Sequence, residues 1–220
     1  MHKLRQIFSE IKWAVFVVGR KLKSRAFIIK RLLVRPELPK NTDGKIFIHL
    51  GCGDIASPEF INIDARPAPH IHYVRDVTEL SIFSDNFADL VYACHLLEHV
   101  RKNALRKTLW EWWRVLNPGG ILRLSVPDFD KILHIYKSSS NDINVIHCPL
   151  MGGQNYEYNV HYSVFNQRYL TEKLKEAGFK EVRQWEPDHV TNHNFRDWAN
   201  SDFIVNGKAF QVSLNLEAVK

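Results

Sequence analysis

The sequence lacks the features that define several large classes of protein. Its 220 residues contain three cysteines, Cys52, Cys94 and Cys148, which are too few and too scattered for a disulfide framework and fit a reducing compartment. No apolar run approaches the roughly 18 residues of a membrane-spanning helix. The longest run near the N-terminus, residues 13–18, is shorter than the apolar core of a secretory signal, and no small-residue cleavage site follows it. We therefore expect a cytoplasmic protein.

The composition is that of an ordinary folded domain. Hydrophobic residues make up 45% of the chain, aromatic residues 12% and charged residues 25%, which excludes a mainly disordered, collagen-like or coiled-coil protein. No internal repeat or low-complexity tract is present. The length fits one domain with an appendage. We assign residues 1–40 to an N-terminal arm and residues 41–220 to the domain.

The positive charge of the chain is concentrated in the arm. The formal net charge is +6, but residues 1–35 hold ten lysines and arginines against one acid, whereas residues 36–220 hold 20 against 23 acids. A nucleic-acid-binding domain carries its positive charge across a groove or a face. Because the body of this chain is slightly acidic, we do not expect nucleic acid as its partner.

Apolar residues in the arm recur at helical spacing, which predicts a basic amphipathic helix. They are Leu4, Ile7, Phe8, Ile11, Val15, Val18 and Leu22. Such a helix can lie on the inner face of the membrane, with its apolar side among the headgroups and its lysines on phosphates. It can also pack against its own domain or a partner subunit. Both interpretations of residues 1–35 stay open.

Strand-like and helix-like segments alternate after the arm, which predicts an α/β domain with a mainly parallel sheet. The predicted strands cover residues 45–50, 60–64, 72–75, 88–93, 121–126, 181–185 and 210–218. The predicted helices cover residues 103–116, 128–136 and 167–177, and the sequence Asn-Pro-Gly-Gly stops the first of them.

The sharpest local motif is a strand that runs into a Gly-x-Gly turn, IFIHLGCGD at residues 46–54. Glycines there let a ligand approach the backbone, and Asp64, which ends the next strand, can accept hydrogen bonds from ribose hydroxyls. A dinucleotide site needs a full helix after the glycines. Only six residues, including Pro58, separate Gly53 from the next strand. A ligand with a ribose and no phosphates, such as S-adenosylmethionine, therefore suits the turn better.

The motifs in this order resemble those of the class I S-adenosylmethionine-dependent methyltransferases, from about Lys45 to Lys220. The matching segments are HLGCGD, NID, FSDNFADLVYACHLLEHV after Asp76-Val77, LNPGGILRLSVPD and the final SLNLEAVK. The resemblance implies a doubly wound, mainly parallel, seven-stranded Rossmann-like sheet and S-adenosylmethionine as cofactor. The short segment between GCG and NID is similar to that of a bacterial branch often associated with surface-polysaccharide genes.

The resemblance also implies which residues bind the cofactor. They are His49, Gly51, Cys52, Gly53, Asp64, Asp76, Val77 and His95. His49 departs from the pattern, because the family often has an acid there that orients the methionine end of the cofactor. A non-catalytic binding or scaffold protein therefore stays open as an alternative, as does a nucleotide-dependent oxidoreductase.

Three residues are candidates for catalysis, namely His95, Asp128 and His161. His95 and Asp128 follow the fourth and fifth predicted strands, where a general base for a hydroxyl acceptor would lie. His95 can instead cap or pack, and Asp128 is also a good N-cap for the next helix. His161 belongs to residues 147–162, which we interpret as a substrate lid with a hinge at Gly152-Gly153.

The remaining polar clusters have simpler interpretations. A second wall of the pocket is expected at residues 188–198. We interpret Glu98 and His99 as mostly structural, and we predict no metal site, because the His70/His72 and His189/His193 pairs lack a clear third ligand.

We expect a methyl acceptor that is a small molecule or a glycan, modified on oxygen or nitrogen, such as a surface-polysaccharide precursor. The oligomeric state is left undetermined.

Overall fold

The computed structural model describes residues 37–220. The predicted arm helix at residues 1–35 lies outside the described residues. Within the part that is described, no helix is long and apolar enough to cross a membrane.

The domain is built on one twisted sheet of seven strands. The strands of the chain are β1 (Phe47–Leu50), β2 (Phe60–Asp64), β3 (Tyr73–Val74), β4 (Ala88–Cys94), β5 (Leu116–Pro127), β6 (Glu181–Gln184), β7 (Asp202–Val205), β8 (Lys208–Gln211) and β9 (Ser213–Val219). The order in the large sheet is β3-β2-β1-β4-β5-β9-β6. Neighbours from β3 to β5 are parallel, and β9 is antiparallel to both β5 and β6. The predicted doubly wound, mainly parallel, seven-stranded sheet is thus confirmed.

The central strands are buried on both faces because helices and loops cover the sheet on each side. Every residue of β1 and of β2 is buried, which is the pattern of parallel strands in α/β proteins. The strand order reverses between β1 and β4, which are direct neighbours. A crevice at the carboxyl ends of these two strands is the usual place for a ligand in such a fold.

Four α-helices lie among residues 37–220: α1 (Leu105–Val115), α2 (Phe129–Ser138), α3 (Ile143–Met151) and α4 (Gln167–Glu176). The side chains of Asp128, Asp142 and Asn166 cap the last three by accepting backbone hydrogen bonds from the first turn. The helix predicted at residues 103–116 ends at Val115, and strand β5, which follows it, begins at Leu116 and includes the Asn-Pro-Gly-Gly sequence.

The structure differs from the prediction at the C-terminal end and around α3. The segment predicted as one strand at residues 210–218 is divided at Val212. The carbonyl of Val212 accepts a hydrogen bond from the backbone of Asp128, while β8 pairs with β7 in a separate two-stranded sheet. Because the apolar pattern is continuous across this break, the sequence alone does not reveal it. Helix α3 was also missed, since Pro149 lies within its last turn.

Candidate active site

A cavity of about 500 Å³ opens at the carboxyl ends of β1 and β4, where the strand order reverses. Its walls come mainly from the glycine turn after β1, from the residues that follow β4, and from two stretches in the second half of the chain. Its volume lies within the range of about 300–1,000 Å³ typical of small-molecule sites. Candidate residues on its lining are His49, Gly51, Cys52, Gly53, His95 and His161.

The glycine turn requires its glycines. Gly51 and Gly53 have φ angles of +61° and +57°, in the left-handed region that favours glycine. A Cβ atom on Gly51 would lie 2.6 Å from Cδ1 of Leu96, so the residue after His95 packs directly on the turn. Between the glycines, burial raises the pKa of the Cys52 thiol to about 12, which keeps it protonated and uncharged.

Asp64 is bonded to the turn from the neighbouring strand. Its Oδ2 accepts a hydrogen bond from the Gly53 backbone at 2.9 Å, and its Oδ1 accepts from the backbone of Arg66 at 2.8 Å and from Arg66 Nε at 3.4 Å. A carboxylate has about four acceptor positions. One position on Oδ2 therefore stays available beside the turn, although Asp64 itself does not line the cavity.

His49 lies beneath the turn among aromatic rings. It is buried, its ring stacks on Phe195 at 5.6 Å, and burial lowers its pKa to about 3. The imidazole is therefore neutral at physiological pH and cannot replace the acid that the family often carries there.

Asp197 places a carboxylate on the same side of the cavity. Its Oδ2 accepts a hydrogen bond from the Tyr92 hydroxyl, and His193 Nε2 lies 3.6 Å from its Oδ1. Burial acts to raise the pKa of Asp197, but the contacts with His193 and Tyr92 outweigh it and hold the pKa below its ordinary value. Asp197 is thus an ionised group on the cavity lining, and it also gives His193 a partner that the sequence did not suggest.

His95 is held in a defined tautomer at the end of β4. Its φ is +46°, which is uncommon for a residue with a side chain. The Ser213 hydroxyl donates its hydrogen to the Trp198 carbonyl at 2.6 Å, so its oxygen accepts from His95 Nε2, 2.8 Å away. The Nδ1 atom consequently carries the lone pair. Burial lowers the pKa of His95 to about 3, which leaves this ring neutral.

Glu98, His99 and His161 lie close together beside His95, with Glu98 buried and the two histidines partly buried. Glu98 lies in a short 3₁₀ turn, Leu97–His99, and neither of its carboxylate oxygens has a hydrogen-bond partner among the described residues. Burial raises the pKa of Glu98 to about 8 and, together with His99, lowers that of His161 to about 4. The three side chains offer ligand atoms that lie within 4.8 Å of one another.

Comparison with known families matches residues 50–124 to a methyltransferase domain. The matched stretch begins at the last residue of β1 and includes the glycine turn, Asp64, His95 and Glu98. This stretch of the chain is similar to a methyltransferase domain. The comparison with curated proteins gave no match.

Two solved structures share the fold at low sequence identity. A methyltransferase from Thermotoga maritima, described as S-adenosylmethionine-dependent and a possible histamine N-methyltransferase, is 15% identical with a TM-score of 0.50, covering 100% of this chain and 99% of its own. An S-adenosylmethionine-dependent methyltransferase from Archaeoglobus fulgidus is 15% identical with a TM-score of 0.51, covering 91% and 94%. The solved structures show the shared fold, and the domain match supports the methyltransferase expected from the sequence.

The residues around the turn fit S-adenosylmethionine, the cofactor expected from the sequence. Gly53 presents backbone to the cavity without a side chain, and Asp64 keeps one acceptor position that suits a ribose hydroxyl. Asp197 supplies negative charge suited to the cationic end of the methionine moiety. The cavity is large enough for part of the cofactor together with a small acceptor group.

Besides Asp64, three predicted site residues lie off the cavity lining. Asp76 is exposed and bonded to the backbone of Thr78, and Val77 is buried, with its carbonyl accepting from Trp112 Nε1. Asp128 is buried, and its Oδ1 accepts from the Asp130 backbone as the N-cap of α2. The contacts of Asp128 are therefore those of an N-cap, which was the alternative to a catalytic role. The roles of Asp76 and Val77 toward adenine stay predictions.

The segment interpreted as a lid does contribute to the walls of the cavity, through Gly152, Gly153, Tyr156, Asn159 and His161. The Tyr156 ring receives the Arg66 guanidinium at 5.3 Å, so the segment reaches the residue that pairs with Asp64. Asn159 packs so closely on Gly152 and Gly153 that a Cβ on either would meet it at 2.6 Å. The hinge role of these glycines stays a prediction.

Several wall residues were not identified from the sequence. Glu98, interpreted above as mostly structural, lies in a 3₁₀ turn, and its carboxyl oxygens have no hydrogen-bond partner among residues 37–220. Trp198, whose ring stacks on His95 at 5.7 Å, and Asp197 were included only as part of the second wall. Hydrophobic spacing does not report on such residues, because they belong to loops that tertiary packing brings to the strand ends.

Proposed function

We propose that the chain transfers a methyl group from S-adenosylmethionine to an oxygen or nitrogen of a small molecule or glycan. The observation that carries this proposal is the cavity itself, which joins the Gly51–Gly53 turn to the unprotonated Nδ1 of His95. S-adenosylmethionine supplies an electrophilic methyl group on its sulfonium when it is bound. The chain has to bind, align and deprotonate, and alignment alone can contribute about 7–11 kcal/mol.

The cofactor-binding role falls to the turn and to the acids beside it. The backbone of Gly51, Cys52 and Gly53 contacts the cofactor, and Asp64 Oδ2 accepts a hydrogen bond from its ribose. Asp197 takes the place of the acid that the family often has at the position of His49. The neutrality of His49 supports this division. His49 carries no charge, whereas Asp197 is ionised and can supply negative charge for the methionine amino group.

Proton removal from the acceptor falls to His95. The hydrogen bond of Nε2 to Ser213 fixes the proton on that nitrogen and aims the basic Nδ1 away from it. Trp198 stacks on the ring and limits its rotation. A positioned base contributes about 10²–10⁴-fold in rate for a hydroxyl acceptor, and the lowered pKa of His95 places its contribution at the low end of that range. His161, which lies beside His95 near Glu98, orients the acceptor.

The acceptor is a compact molecule or a terminal glycan unit. The cavity is moderate in volume, with polar groups from Glu98, His99 and Asn159 on its lining, which suits hydroxyl-bearing ligands. A surface-polysaccharide precursor held near the membrane is the specific acceptor class we favour. The basic arm at residues 1–35 would then keep the enzyme on the anionic inner face of the membrane.

Binding of S-adenosylmethionine and S-adenosylhomocysteine, measured by calorimetry, tests the cofactor part of the proposal. We expect saturable binding of both and none of nicotinamide dinucleotides. No binding at millimolar ligand would refute it. Product formation with sugar or small-molecule acceptors separates an enzyme from a non-catalytic binding protein, an alternative that His49 favours because it removes the usual acid.

Vesicle binding tests the arm separately. Vesicles containing anionic lipid should bind the full chain in a salt-sensitive way, and a chain lacking residues 1–38 should lose that binding. Equal binding by both chains would remove the membrane role and leave packing against the domain or a partner as the function of the arm.

A further inference from the structure

We propose that Glu98, His99 and His161 form a binding site for a divalent first-row transition ion such as Zn²⁺, within the cavity. Two imidazoles and one carboxylate are a common ligand set for such ions. The three ligand residues come from two segments about 60 residues apart in sequence, so the set is invisible to motif searches that require close spacing.

Glu98 is the observation that points to a ligand. Its side chain is 1% exposed and faces the cavity, yet neither Oε1 nor Oε2 has a hydrogen-bond partner among residues 37–220. A buried carboxylate without a partner is costly, and such groups in native proteins are paired or bind metals. The nearest nitrogen atoms, His95 Nδ1 at 3.6 Å and His161 Nε2 at 3.9 Å, lie beyond hydrogen-bond distance from Oε1.

The two segments are joined by backbone hydrogen bonds that position the ligands. The Glu98 carbonyl accepts from the backbone of Tyr162 at 2.8 Å and of Ser163 at 3.1 Å. His99 Nδ1 donates to the Val160 carbonyl at 3.1 Å, which leaves its Nε2 with the lone pair. Histidines that bind metals usually donate their other nitrogen to a carbonyl or carboxylate in this way.

The distances suit an ion after a small contraction. Since the three ligand atoms lie within 4.8 Å of one another, some point is no more than about 2.8 Å from each of them. Typical Zn–N and Zn–O distances are about 2.0–2.2 Å. Each ligand atom therefore needs to move by less than about 1 Å, which rotation of the side chains supplies.

An ion with three protein ligands keeps open positions, and here these face the cavity. An acceptor oxygen placed there would be polarised by the ion, which lowers the pKa of its hydroxyl beside the His95 base. This catalytic role rests on the proposed function, whereas the binding site itself does not. The site would direct the enzyme toward oxygen acceptors with a second donor atom, such as sugar diols.

Metal titration of the full, untagged chain in the absence of S-adenosylmethionine tests the site. After chelator treatment, Zn²⁺ is titrated by calorimetry and Co²⁺ by visible absorption. We expect one tightly bound ion per chain, a Co²⁺ spectrum of nitrogen and oxygen ligation, and no competition by millimolar Mg²⁺, which prefers all-oxygen sites. Zn²⁺ should also raise the Tm of the protein, because it binds the folded state.

Variants assign the ion to these residues. Glu98→Gln and His161→Gln should each weaken Zn²⁺ binding at least tenfold and lose the increase in Tm. His134→Gln, an exposed histidine on α2, should bind as the wild type does. If only one of Glu98→Gln and His161→Gln folds, that variant is enough for the comparison with the wild type. No binding at 100-fold excess Zn²⁺ over protein, unchanged affinity in a folded ligand variant, or a sulfur-to-cobalt charge-transfer band would overturn the proposal. Because cofactor binding is measured without metal, failure of one proposal leaves the other testable.

Discussion

Replacing Asp64 by asparagine tests the cofactor site at the residue that joins the glycine turn to β2. The substitution preserves the shape of the side chain and removes its charge. One oxygen becomes an amide nitrogen that can no longer accept a hydrogen bond. If the remaining oxygen keeps the Arg66 backbone, the new amide faces the Gly53 N–H, so two donors oppose each other.

The magnitude follows from the acceptor positions of the carboxylate. Three donors already occupy Asp64, namely the backbone of Gly53 and two nitrogens of Arg66. The free position on Oδ2 can take one ribose hydroxyl. A hydrogen bond to a charged acceptor contributes about 1.5–3 kcal/mol. We therefore expect Asp64→Asn to weaken cofactor binding roughly 10- to 150-fold. Loss of the Gly53 bond should also cost the fold about 1 kcal/mol.

Calorimetric titration with S-adenosylhomocysteine is the suitable assay, because this product does not turn over. Thermal unfolding of the free protein measures the separate cost to the fold. Asp43→Asn is the matched control, since Asp43 is an exposed loop residue that pairs with Lys45, and β1 lies between it and the turn. Affinity of Asp64→Asn within threefold of wild type would contradict the assigned role of Asp64. Equal losses in both variants would show that the effect is general electrostatics.

Three further predictions concern the supports of the site. Gly51→Ala should destabilise the fold by about 2 kcal/mol or more in thermal unfolding, because the new Cβ would meet the Leu96 side chain. Gly44→Ala is the control: Gly44 also has a positive φ but lies in open space, so this substitution should cost about 1 kcal/mol. Asp128→Ala should cost about 1 kcal/mol as a lost N-cap without changing S-adenosylhomocysteine affinity; a change in affinity above threefold would favour a direct role. Glu217→Ala should cost about 3–5 kcal/mol in chemical unfolding, since it leaves the buried guanidinium of Arg123 unpaired; a cost below 1 kcal/mol would contradict this.

The fold was predictable from the sequence because its signals are local. The buried strands β1, β2 and β4 are short apolar runs, and each is followed by a turn or an acid that marks its end. The break at Val212 was not predictable. It depends on a hydrogen bond to Asp128, more than 80 residues earlier, and not on any change in the apolar pattern.

The candidate site likewise contains some residues that the sequence predicts and others that it does not. The residues directly after the strands, such as Gly51, Gly53 and His95, could be predicted, since strand ends fix their position. Residues supplied by long connections, such as Asp197, Trp198 and Tyr156, could not be singled out, because their approach to the cavity is decided by packing. For Glu98 the type of residue was visible, but its lack of partners exists only in the folded chain.

The contrast between strand-end residues and residues from long connections also bears on the specificity for the acceptor. The strand-end residues Gly53, Asp64 and His95 are held by the sheet, so we expect the part of the cavity proposed for the cofactor to be rigid. The part proposed for the acceptor includes residues 152–162, which are joined to that frame by the Arg66 guanidinium on Tyr156 and by the Tyr162 backbone, which donates to the Glu98 carbonyl. Substitutions of exposed residues in this stretch should therefore change which acceptor binds while leaving cofactor affinity nearly constant. Exchange of Tyr156 for alanine is the sharpest case, because it removes the ring that covers Arg66 without touching the glycine turn. We expect S-adenosylhomocysteine affinity to change less than threefold and acceptor KM to rise, and a large loss of cofactor affinity would show instead that the segment closes over the cofactor.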